Sequence, residues 1–413
     1  MHSQTDRPAP ALLIEGAQVI LPDRMQHCSV RLEDGVITGL DVPRDGAQLI
    51  DARGLILAPA MIDIHGDAFE RQLMPRPDVF FPLDLALLES DRQLAGNGIA
   101  TAYHALTLSW EPGLRSVERG EQVLDQLTAL APRLRIDNRL QLRWETFCFE
   151  ARPLIARALT SAQVPALAFN DHTSMAVLHP DTPLQSRPFD HDPGFPVTDM
   201  TSAAFAQKMS ARALRSGLSR EDYVQLITRI WQRRPEVPAA IDTMAQLGRA
   251  AGAPMLSHDD TQLKTRQFYR DRGARISEFP MRVEVAQAAR DAGDFIVFGA
   301  PNVVRGTSHI GSPSAAAMVQ QGLCDILASD YFYPAMLAAV ARLRADAVAP
   351  LPALWQLVSQ SPARALGLQD RGRIEAGARA DIVLLDWPEG ASPAPLLTLS
   401  AGRIAHAGRS FGV

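Results

Sequence analysis

One strand-like stretch ends in residue types that bind metals. An apolar run from Leu55 to Ile64 stops at His65 and Asp67, which stand two positions apart. On an extended strand, residues i and i+2 point to the same side, so the imidazole and the carboxylate would face one way. Histidine nitrogen and carboxylate oxygen are common ligands of divalent metals. The stretch therefore predicts half of a metal site at the end of a buried parallel strand.

The same residue types follow other predicted strands, always at the carboxyl end. These are Glu145, Asp171-His172-Thr173, His258-Asp259-Asp260 and Ser329-Asp330. In a (β/α)₈ barrel this end carries the active site, so residues far apart in sequence converge there. Three histidines and up to three carboxylates would hold one or two divalent ions, with zinc as the first choice and manganese, iron or cobalt as alternatives. The predicted metal ligands are His65, Asp67, Glu145, His172, His258 and Asp330.

Two of these carboxylates have further predicted roles in catalysis. A bridging carboxylate such as Glu145 would hold a pair of ions about 3.5 to 4 Å apart. Such a pair lowers the pKa of a shared water towards neutrality, and Asp330 would accept its proton. Asp259 and Asp260 are adjacent and point apart on extended backbone, so one of them would hold the second nitrogen of a neighbouring histidine. For His104, which also ends a strand, a structural role is favoured over a place in the site.

The elements that must position these residues alternate between strands and helices through the middle of the chain. The predicted strands are 56–64, 98–106, 140–147, 166–169, 254–257, 276–279, 295–298 and 326–328. The main predicted helices are 83–96, 119–130, 203–216, 220–232, 284–292 and 314–322, and Ser219 is a predicted helix cap. Eight βα units closed into one barrel is the most economical α/β interpretation, and a doubly wound open sheet is the alternative.

Both ends of the chain contain short strand patterns with turn signals. Asp34-Gly35 stands between alternating apolar runs, and Ala401-Gly402 occupies a similar place near the end. We expect one small β-sandwich domain built from residues 1–57 and 369–413, with the barrel over residues 58–368. The alternative is that the ends form edge strands of separate hairpins.

Composition excludes several classes of protein. The chain has 413 residues, of which 46% are hydrophobic and 21% charged, with a net charge of −5. There is no lysine-rich or arginine-rich block, which argues against nucleic acid as a partner. No run of about 18 apolar residues occurs, so no membrane span is expected. The three cysteines have no paired spacing, and no apolar signal segment begins the chain, so a reduced cytoplasmic location is predicted.

The strand-end residues belong to longer motifs. These are Met74-Pro-Arg-Pro77, Asp171-His172-Thr173, Leu256-Ser-His-Asp-Asp-Thr261, Glu278-Phe-Pro280, Gly299-Ala-Pro-Asn-Val-Val-Arg-Gly306 with Ser308-His309, Leu327-Ala-Ser-Asp-Tyr331, Ser361-Pro-Ala-Arg364 and Ala378-Arg-Ala-Asp-Ile-Val383. Their order, inside a β-domain made from both termini, resembles the amidohydrolase superfamily. Within it, the chain is similar to the alpha-D-ribose 1-methylphosphonate 5-triphosphate diphosphatase family of the carbon–phosphorus lyase pathway.

The resemblance implies a metal-dependent hydrolase of phosphonate metabolism that releases pyrophosphate from a ribosyl triphosphate and leaves the 5-phosphate. It also implies the same six metal positions. The fixed fork of arginine suits phosphate oxygens, and the loop 299–311 offers backbone donors besides. The predicted substrate-binding residues are Arg71, Arg76, Asp259, Asn302, Arg305, Ser308 and His309. For Arg71 and Arg76, the alternative is surface charge paired with nearby carboxylates.

The segment after His172 departs from the family pattern. Family members tend to continue Thr-Pro-Gly-Gln-Arg, whereas this chain reads Thr173-Ser-Met-Ala-Val-Leu178 and continues as a proline-containing loop to Met200. An alternative function is therefore a hydrolase of the same fold that cleaves a C–N bond in an amide, a lactam or a cyclic imide. A scaffold without activity would be expected to have lost ligands, and none of the six is missing. The predicted partner is a small phosphorylated substrate. Barrels with such β-domains often pair, so a homo-oligomer is an alternative to a single chain, by analogy only.

Overall fold

The structure is a computed structural model that describes residues 11–308 and 311–411. Its amino-terminal part consists of short strands that follow the alternating apolar pattern of the sequence. They are β1 (Leu12–Glu15), β2 (Gln18–Ile20), β3 (Met25–His27), β4 (Val30–Glu33), β5 (Val36–Leu40), β6 (Gln48–Asp51) and β7 (Ile56–Pro59).

The next eight strands form one parallel sheet in which each strand is hydrogen-bonded to the next in chain order. They are β8 (Met61–Gly66), β9 (Ile99–Leu108), β10 (Asp137–Glu145), β11 (Ala166–Asn170), β12 (Met255–His258), β13 (Ile276–Glu278), β14 (Phe295–Gly299) and β15 (Ile326–Ala328). A parallel bridge between Gly66 and Asp330 joins the first strand to the last. The predicted (β/α)₈ barrel is confirmed, and the doubly wound alternative is wrong.

Helices connect these strands and cover the barrel. They are α1 (Phe69–Leu73), α2 (Leu83–Gly96), α3 (Val117–Leu130), α4 (Arg152–Ala158), α5 (His172–Val177), α6 (Ala203–Lys208), α7 (Ser210–Arg215), α8 (Arg220–Trp231), α9 (Val237–Ala250), α10 (Leu263–Asp271), α11 (Val283–Asp291), α12 (Ala300–Arg305), α13 (Ala315–Gln320), α14 (Ala335–Ala345), α15 (Leu351–Gln356) and α16 (Gln360–Ala365). The Ser219 hydroxyl accepts from the Asp222 amide at 3.0 Å, so the predicted cap is confirmed. None of the described helices combines the length and the apolar character that a membrane span needs.

The last strands return to the amino-terminal ones. They are β16 (Ile382–Asp386), β17 (Ala394–Ser400) and β18 (Arg403–Ala407). They form the six-stranded sheet β18-β17-β16-β7-β2-β3, and the remaining strands form the four-stranded sheet β5-β4-β1-β6. Buried side chains of the two sheets, such as Ile14, Val30, Leu384 and Leu399, pack into one cluster. The termini therefore build a β-sandwich, while the exact domain boundaries stay a prediction.

The apolar run predicted as a single first barrel strand is in fact two strands. β7 pairs with β16 and β2 in the sandwich, whereas β8 pairs with β9 in the barrel. The change of sheet occurs at Ala60, whose amide donates to the Asp381 carbonyl, while the next amide, that of Met61, donates to the Gly98 carbonyl. Both strands are buried on both faces, and the apolar run is continuous across Ala60, so the hydrophobic pattern does not indicate the change of sheet.

Candidate active site

Residues of metal-ligand type meet in two groups at the carboxyl ends of the barrel strands. The first ligand group is His65, Asp67 and Asp330, and the second is His172, His258 and Asp259. Within each group, the ligand atoms all lie within 4.8 Å of one another. Five of the six predicted ligands are therefore brought together, and Asp259, predicted to bind substrate, lies in the second group.

Closure of the barrel positions the first group. The Asp330 amide donates to the His65 carbonyl at 2.9 Å, and the Asp67 amide donates to the Asp330 carbonyl at 2.9 Å. Asp259 and Asp330 both have left-handed backbones, with φ of 54° and 56°. Aspartate tolerates this conformation better than most residues, and its cost is typical of functional sites. The backbone is thus bent at both places so that a carboxylate turns into the bowl.

Buried Glu278, at the end of β13, orients two of the histidines. Its two oxygens accept from Nδ1 of His65 at 2.9 Å and Nδ1 of His258 at 2.7 Å. Burial opposes the charged form of Glu278, but the two imidazoles outweigh it and lower the pKa of this carboxyl well below its usual range. With Nδ1 donating to Glu278, the neutral form of each ring presents the lone pair of Nε2 to the site.

Glu145 contacts His172, a member of the second ligand group. Its Oε1 is 2.5 Å from Nδ1 of His172, and its Oε2 accepts from the His172 amide at 3.1 Å. Burial acts against this carboxylate, yet the contact with His172 lowers the pKa of Glu145 to about 2. Among the described residues, Glu145 belongs to neither ligand group, and it orients a histidine as Glu278 does.

The strand that carries Glu145 supplies two more polar side chains. Gln141 donates to Glu278 Oε1 at 2.7 Å. Arg143 places Nη1 3.2 Å from Asp67 Oδ2 and Nη2 3.4 Å from His258 Nε2. Its side chain is buried between the two ligand groups. Residues 141, 143 and 145 therefore all reach the site from β10.

A cavity of about 250 Å³ opens over the ligand groups. Of the predicted substrate-binding residues, Asp259, Asn302, Arg305 and Ser308 line it. Arg71 and Arg76 are exposed and, among the described residues, are not part of its lining. His309 lies outside the described residues. Phe279, Phe298 and Met175 give the cavity an apolar wall.

Some of these side chains have structural partners. Asn302 donates to the Pro313 carbonyl at 3.2 Å and accepts from the Ala315 amide at 3.1 Å, so it holds the loop that follows it. Arg71 donates to the Tyr331 carbonyl, and Arg305 lies 3.4 Å from the Tyr331 hydroxyl. Arg305 is thus held at the rim of the cavity beside Asp330.

Burial also changes the acidity of two carboxyl groups near the site. Burial and the charge of Asp67 raise the pKa of Asp330 to about 6. Burial and the charge of Asp190 raise the pKa of Asp171 to about 7. In the segment that departs from the family pattern, buried Arg187 donates to the Asp259 carbonyl at 3.0 Å and pairs with Asp190 at 2.8 Å. The segment is therefore fastened to the strand end that carries the second group.

The donor set fits a divalent metal. Each group offers imidazole nitrogen and carboxylate oxygen, the ligands of zinc and related ions. Glu278 fixes two imidazoles through Nδ1, the arrangement by which proteins orient metal-binding histidines. The first group, His65, Asp67 and Asp330, has the donor types to hold a divalent ion, and so has the second.

Known proteins resemble this chain in sequence and in fold. The sequence model described as "Amidohydrolase family" matches residues 235–408. The chain is also 29% identical to the alpha-D-ribose 1-methylphosphonate 5-triphosphate diphosphatase of Escherichia coli (strain K12). The similarity extends over 379 residues, which are 90% of this chain and 94% of that protein.

The chain is similar to the amidohydrolase superfamily. The matching family model and the relative both indicate that this protein is a hydrolase. Solved structures share its fold at low identity. Phenylurea hydrolase B has a TM-score of 0.62 at 12% identity and covers 95% of this chain and 96% of its own. A beta-aspartyl dipeptidase from Fervidobacterium islandicum-AW-1 has a TM-score of 0.60 at 15% identity, with 98% of each chain covered.

Three side chains of this hydrolase's site were missed as site residues by sequence reasoning. Glu278 was noted only as part of a motif, and Gln141 and Arg143 only as part of a predicted strand. A usable signal was present, because polar residues at positions 141, 143 and 145 share one face of the strand and alternate with Leu140, Leu142 and Trp144. Nothing in the sequence indicates that Arg187 returns to the site.

Proposed function

We propose that this enzyme is a diphosphatase that hydrolyses a ribosyl 5-triphosphate of phosphonate metabolism, releasing pyrophosphate and leaving the 5-phosphate. The observation that carries the proposal is that two metal-ligand groups and the guanidinium groups of Arg143 and Arg305 share one cavity. Guanidinium groups bind phosphoryl oxygens through parallel N–H donors. The similarity to the E. coli diphosphatase over 90% of this chain supports the same substrate class.

The proposed chemistry divides the work between a metal and the chain. His65, Asp67 and Asp330 would hold a divalent ion, zinc or alternatively manganese, iron or cobalt, which would supply polarisation of a phosphoryl oxygen and acidify water. Asp330 takes the proton of the attacking water as the general base. Glu278 holds the rings of His65 and His258 so that their Nε2 atoms face the reaction. Arg305 and Ser308, in the cavity wall, bind the outer phosphates.

We also propose a cellular location, a substrate class and domain boundaries for this protein. The three cysteines are free and buried, which supports the reduced cytoplasmic location predicted from the sequence. The proposed substrate is a small phosphorylated molecule. The proposed domains are the β-sandwich over residues 1–57 and 369–413 and the barrel over residues 58–368.

A second candidate is hydrolysis of a C–N bond in an amide, a lactam or a cyclic imide by the same centre. The observation that favours it is the apolar wall of the cavity. Met175, Phe279 and Phe298 line it, and Met175 comes from the segment that departs from the family pattern. An apolar wall suits a carbon skeleton better than a polyphosphate.

The two proposed functions differ in the products that the enzyme would release. The purified enzyme, supplied with zinc or manganese, is incubated with ribose 5-triphosphate and ATP, and in parallel with N-acyl amino acids, lactams and cyclic imides. We expect pyrophosphate from the triphosphates and no amine or ring-opened acid from the second set. Ring opening or amide cleavage without pyrophosphate would favour the second candidate and overturn the first.

Asp330→Asn is the control for the assigned general base. It keeps the shape of the side chain but cannot accept the proton, so turnover should fall by about 10³-fold while the circular dichroism spectrum is unchanged. Activity at the level of the unmodified enzyme would remove Asp330 from the mechanism.

A further inference from the structure

The inward face of β10 carries a positive charge where a bridging anion was predicted. Arg143 lies two positions before Glu145, and its side chain points to the same face. Its guanidinium contacts one member of each ligand group, Asp67 Oδ2 at 3.2 Å and His258 Nε2 at 3.4 Å. The predicted bridging carboxylate, Glu145, is instead bonded to His172.

Arg143 competes directly for a lone pair of the second ligand group. The Nδ1 of His258 faces Glu278 Oε2 at 2.7 Å, so the lone pair of His258 is on Nε2. The Nη2 of Arg143 points its hydrogen at this same nitrogen. A metal ion that used His258 Nε2 would have to displace the guanidinium, which remains charged at every pH that proteins tolerate.

The first ligand group is the better site for an ion beside this guanidinium. It contains two carboxylates and a fully buried imidazole, whereas the second contains one carboxylate and the histidine that Arg143 engages. Arg143 contacts only Oδ2 of Asp67, so Oδ1 keeps its lone pairs. Two ions together with Arg143 would crowd positive charges a few ångströms apart in a buried site, where repulsion is poorly screened.

We propose that the centre holds a single divalent ion at His65, Asp67 and Asp330, and that the guanidinium of Arg143 provides the second positive charge, between the two groups. The inference deepens the metal-dependent hydrolase proposed above and rests on it. Arg143 also lines the cavity, so its N–H groups bind the phosphoryl oxygen that a second ion would otherwise hold. His172, His258 and Asp259 then position the substrate side of the cavity rather than a metal.

Metal stoichiometry tests this inference without any substrate. The full-length protein is depleted of metal with a chelator and dialysed against increasing Co²⁺ as the only divalent ion, and the bound metal is measured per chain together with the visible absorption. We expect one Co²⁺ per chain. We expect two for Arg143→Gln, because the lone pair on His258 and the space beside it are released. Arg143→Lys, which keeps the charge, should bind one.

A matched control lies on the same strand. Arg139 is also on β10, but it pairs with Asp137 at 2.9 Å at the other end of the strand. Arg139→Gln should therefore bind one ion, as the unmodified protein does. Two ions per chain in the unmodified protein would overturn the inference, and so would a single ion in Arg143→Gln.

Histidine variants test which group holds the ion and do not depend on how Arg143→Gln folds. His65→Asn should lose the bound Co²⁺, and His258→Asn should retain one ion per chain. The reverse pattern would overturn the inference. A protein that binds no Co²⁺ at all would overturn the metal dependence itself, whereas two ions in the unmodified chain would leave the proposed diphosphatase intact.

Discussion

At the residue scale, one buried carboxylate, that of Glu278, orients two histidine rings of the site. Glu278 accepts from Nδ1 of His65 and of His258, and Gln141 donates to it as well. A carboxylate can accept all three bonds because it has two oxygens and no hydrogen to place. Burial by itself would lower the pKa of His65, but the negative charge of Glu278 outweighs this effect and raises the pKa of that imidazole.

Replacing this carboxylate by an amide should weaken metal binding. In Glu278→Gln, one of the two oxygens becomes an NH₂ group that cannot accept from Nδ1, so one histidine loses its fixed orientation. We expect affinity for Zn²⁺ or Co²⁺ to fall by about 10- to 100-fold, measured by competition with a chromophoric chelator. Glu284→Gln, on the exposed start of α11, is the control. Equal affinities for the two variants would contradict this role.

His191 makes the stability of the protein depend on pH. Neither of its ring nitrogens has a hydrogen-bond partner among the described residues, and the rings of Phe189 and Phe268 lie beside it. Burial, with the charges of Arg234 and Arg272, lowers the pKa of His191 to about 4. The unfolded chain binds this proton near pH 6.5 and the folded chain only near pH 4, so acid favours unfolding.

His191→Phe should remove this component. Between pH 7 and pH 4 the free energy of unfolding of the unmodified protein should fall by about 3 kcal/mol more than that of the variant. Urea denaturation at several pH values measures both curves. Parallel curves would show that His191 does not contribute.

At the element scale, the segment between α5 and α6 is held to the barrel by Arg187. Besides its bond to the Asp259 carbonyl, its own carbonyl accepts from Thr261 at 2.7 Å and from Gln262 at 2.8 Å. Arg187 is 1% exposed and pairs with Asp190, which is 3% exposed. The buried guanidinium and its partner thus add side-chain contacts to the backbone hydrogen bonds within this loop.

Breaking this pair from one side should be costly. Arg187→Gln leaves Asp190 buried without its partner, and we expect the free energy of unfolding to fall by about 3 kcal/mol. The double variant with Asp190→Asn removes both charges and should lose less than the single variant. Chemical denaturation compares the three proteins. A double variant that is as unstable as the single one would show that the charge pair is not the cause.

At the scale of the whole molecule, the sandwich and the barrel share one apolar cluster. Ile56, Val383 and Leu385 of the sandwich pack in the same cluster as Met61 and Ile99 of the barrel. Polar contacts add to this connection, since the Trp355 indole donates to the Pro59 carbonyl at 2.9 Å and the Thr398 hydroxyl to the Ala95 carbonyl at 2.8 Å. The two parts should therefore unfold together.

Leu385→Ala tests this coupling from the side of the sandwich. The side chain is fully buried, so its truncation should cost about 3 kcal/mol. We expect the far-ultraviolet circular dichroism and the visible absorption of Co²⁺ in the barrel to be lost at one lowered denaturant concentration. Ile404→Ala, which is 46% exposed on β18, should change little. A Co²⁺ signal that survives at the original midpoint would show that the barrel unfolds independently.

The sequence predicted the elements well where hydrophobic period and turn residues act locally. The helix over residues 83–96 and the strand over 326–328 were predicted with their bounds, and α11 differs by one residue at each end. The break of the predicted helix 203–216 at Met209 was not predicted, because the residues around it are good helix formers. Local propensity also could not reveal that 56–64 spans two sheets.

By itself, the sequence determined the barrel and the types of residue at its strand ends, because a strand's period and its last residue are properties of neighbouring positions. Only the tertiary structure decided what each side chain touches. It turned Glu145 towards His172, placed Arg143 between the two ligand groups and brought Arg187 to Asp259. These contacts join positions that are distant in the chain, and their geometry depends on how the barrel closes, which no local pattern encodes.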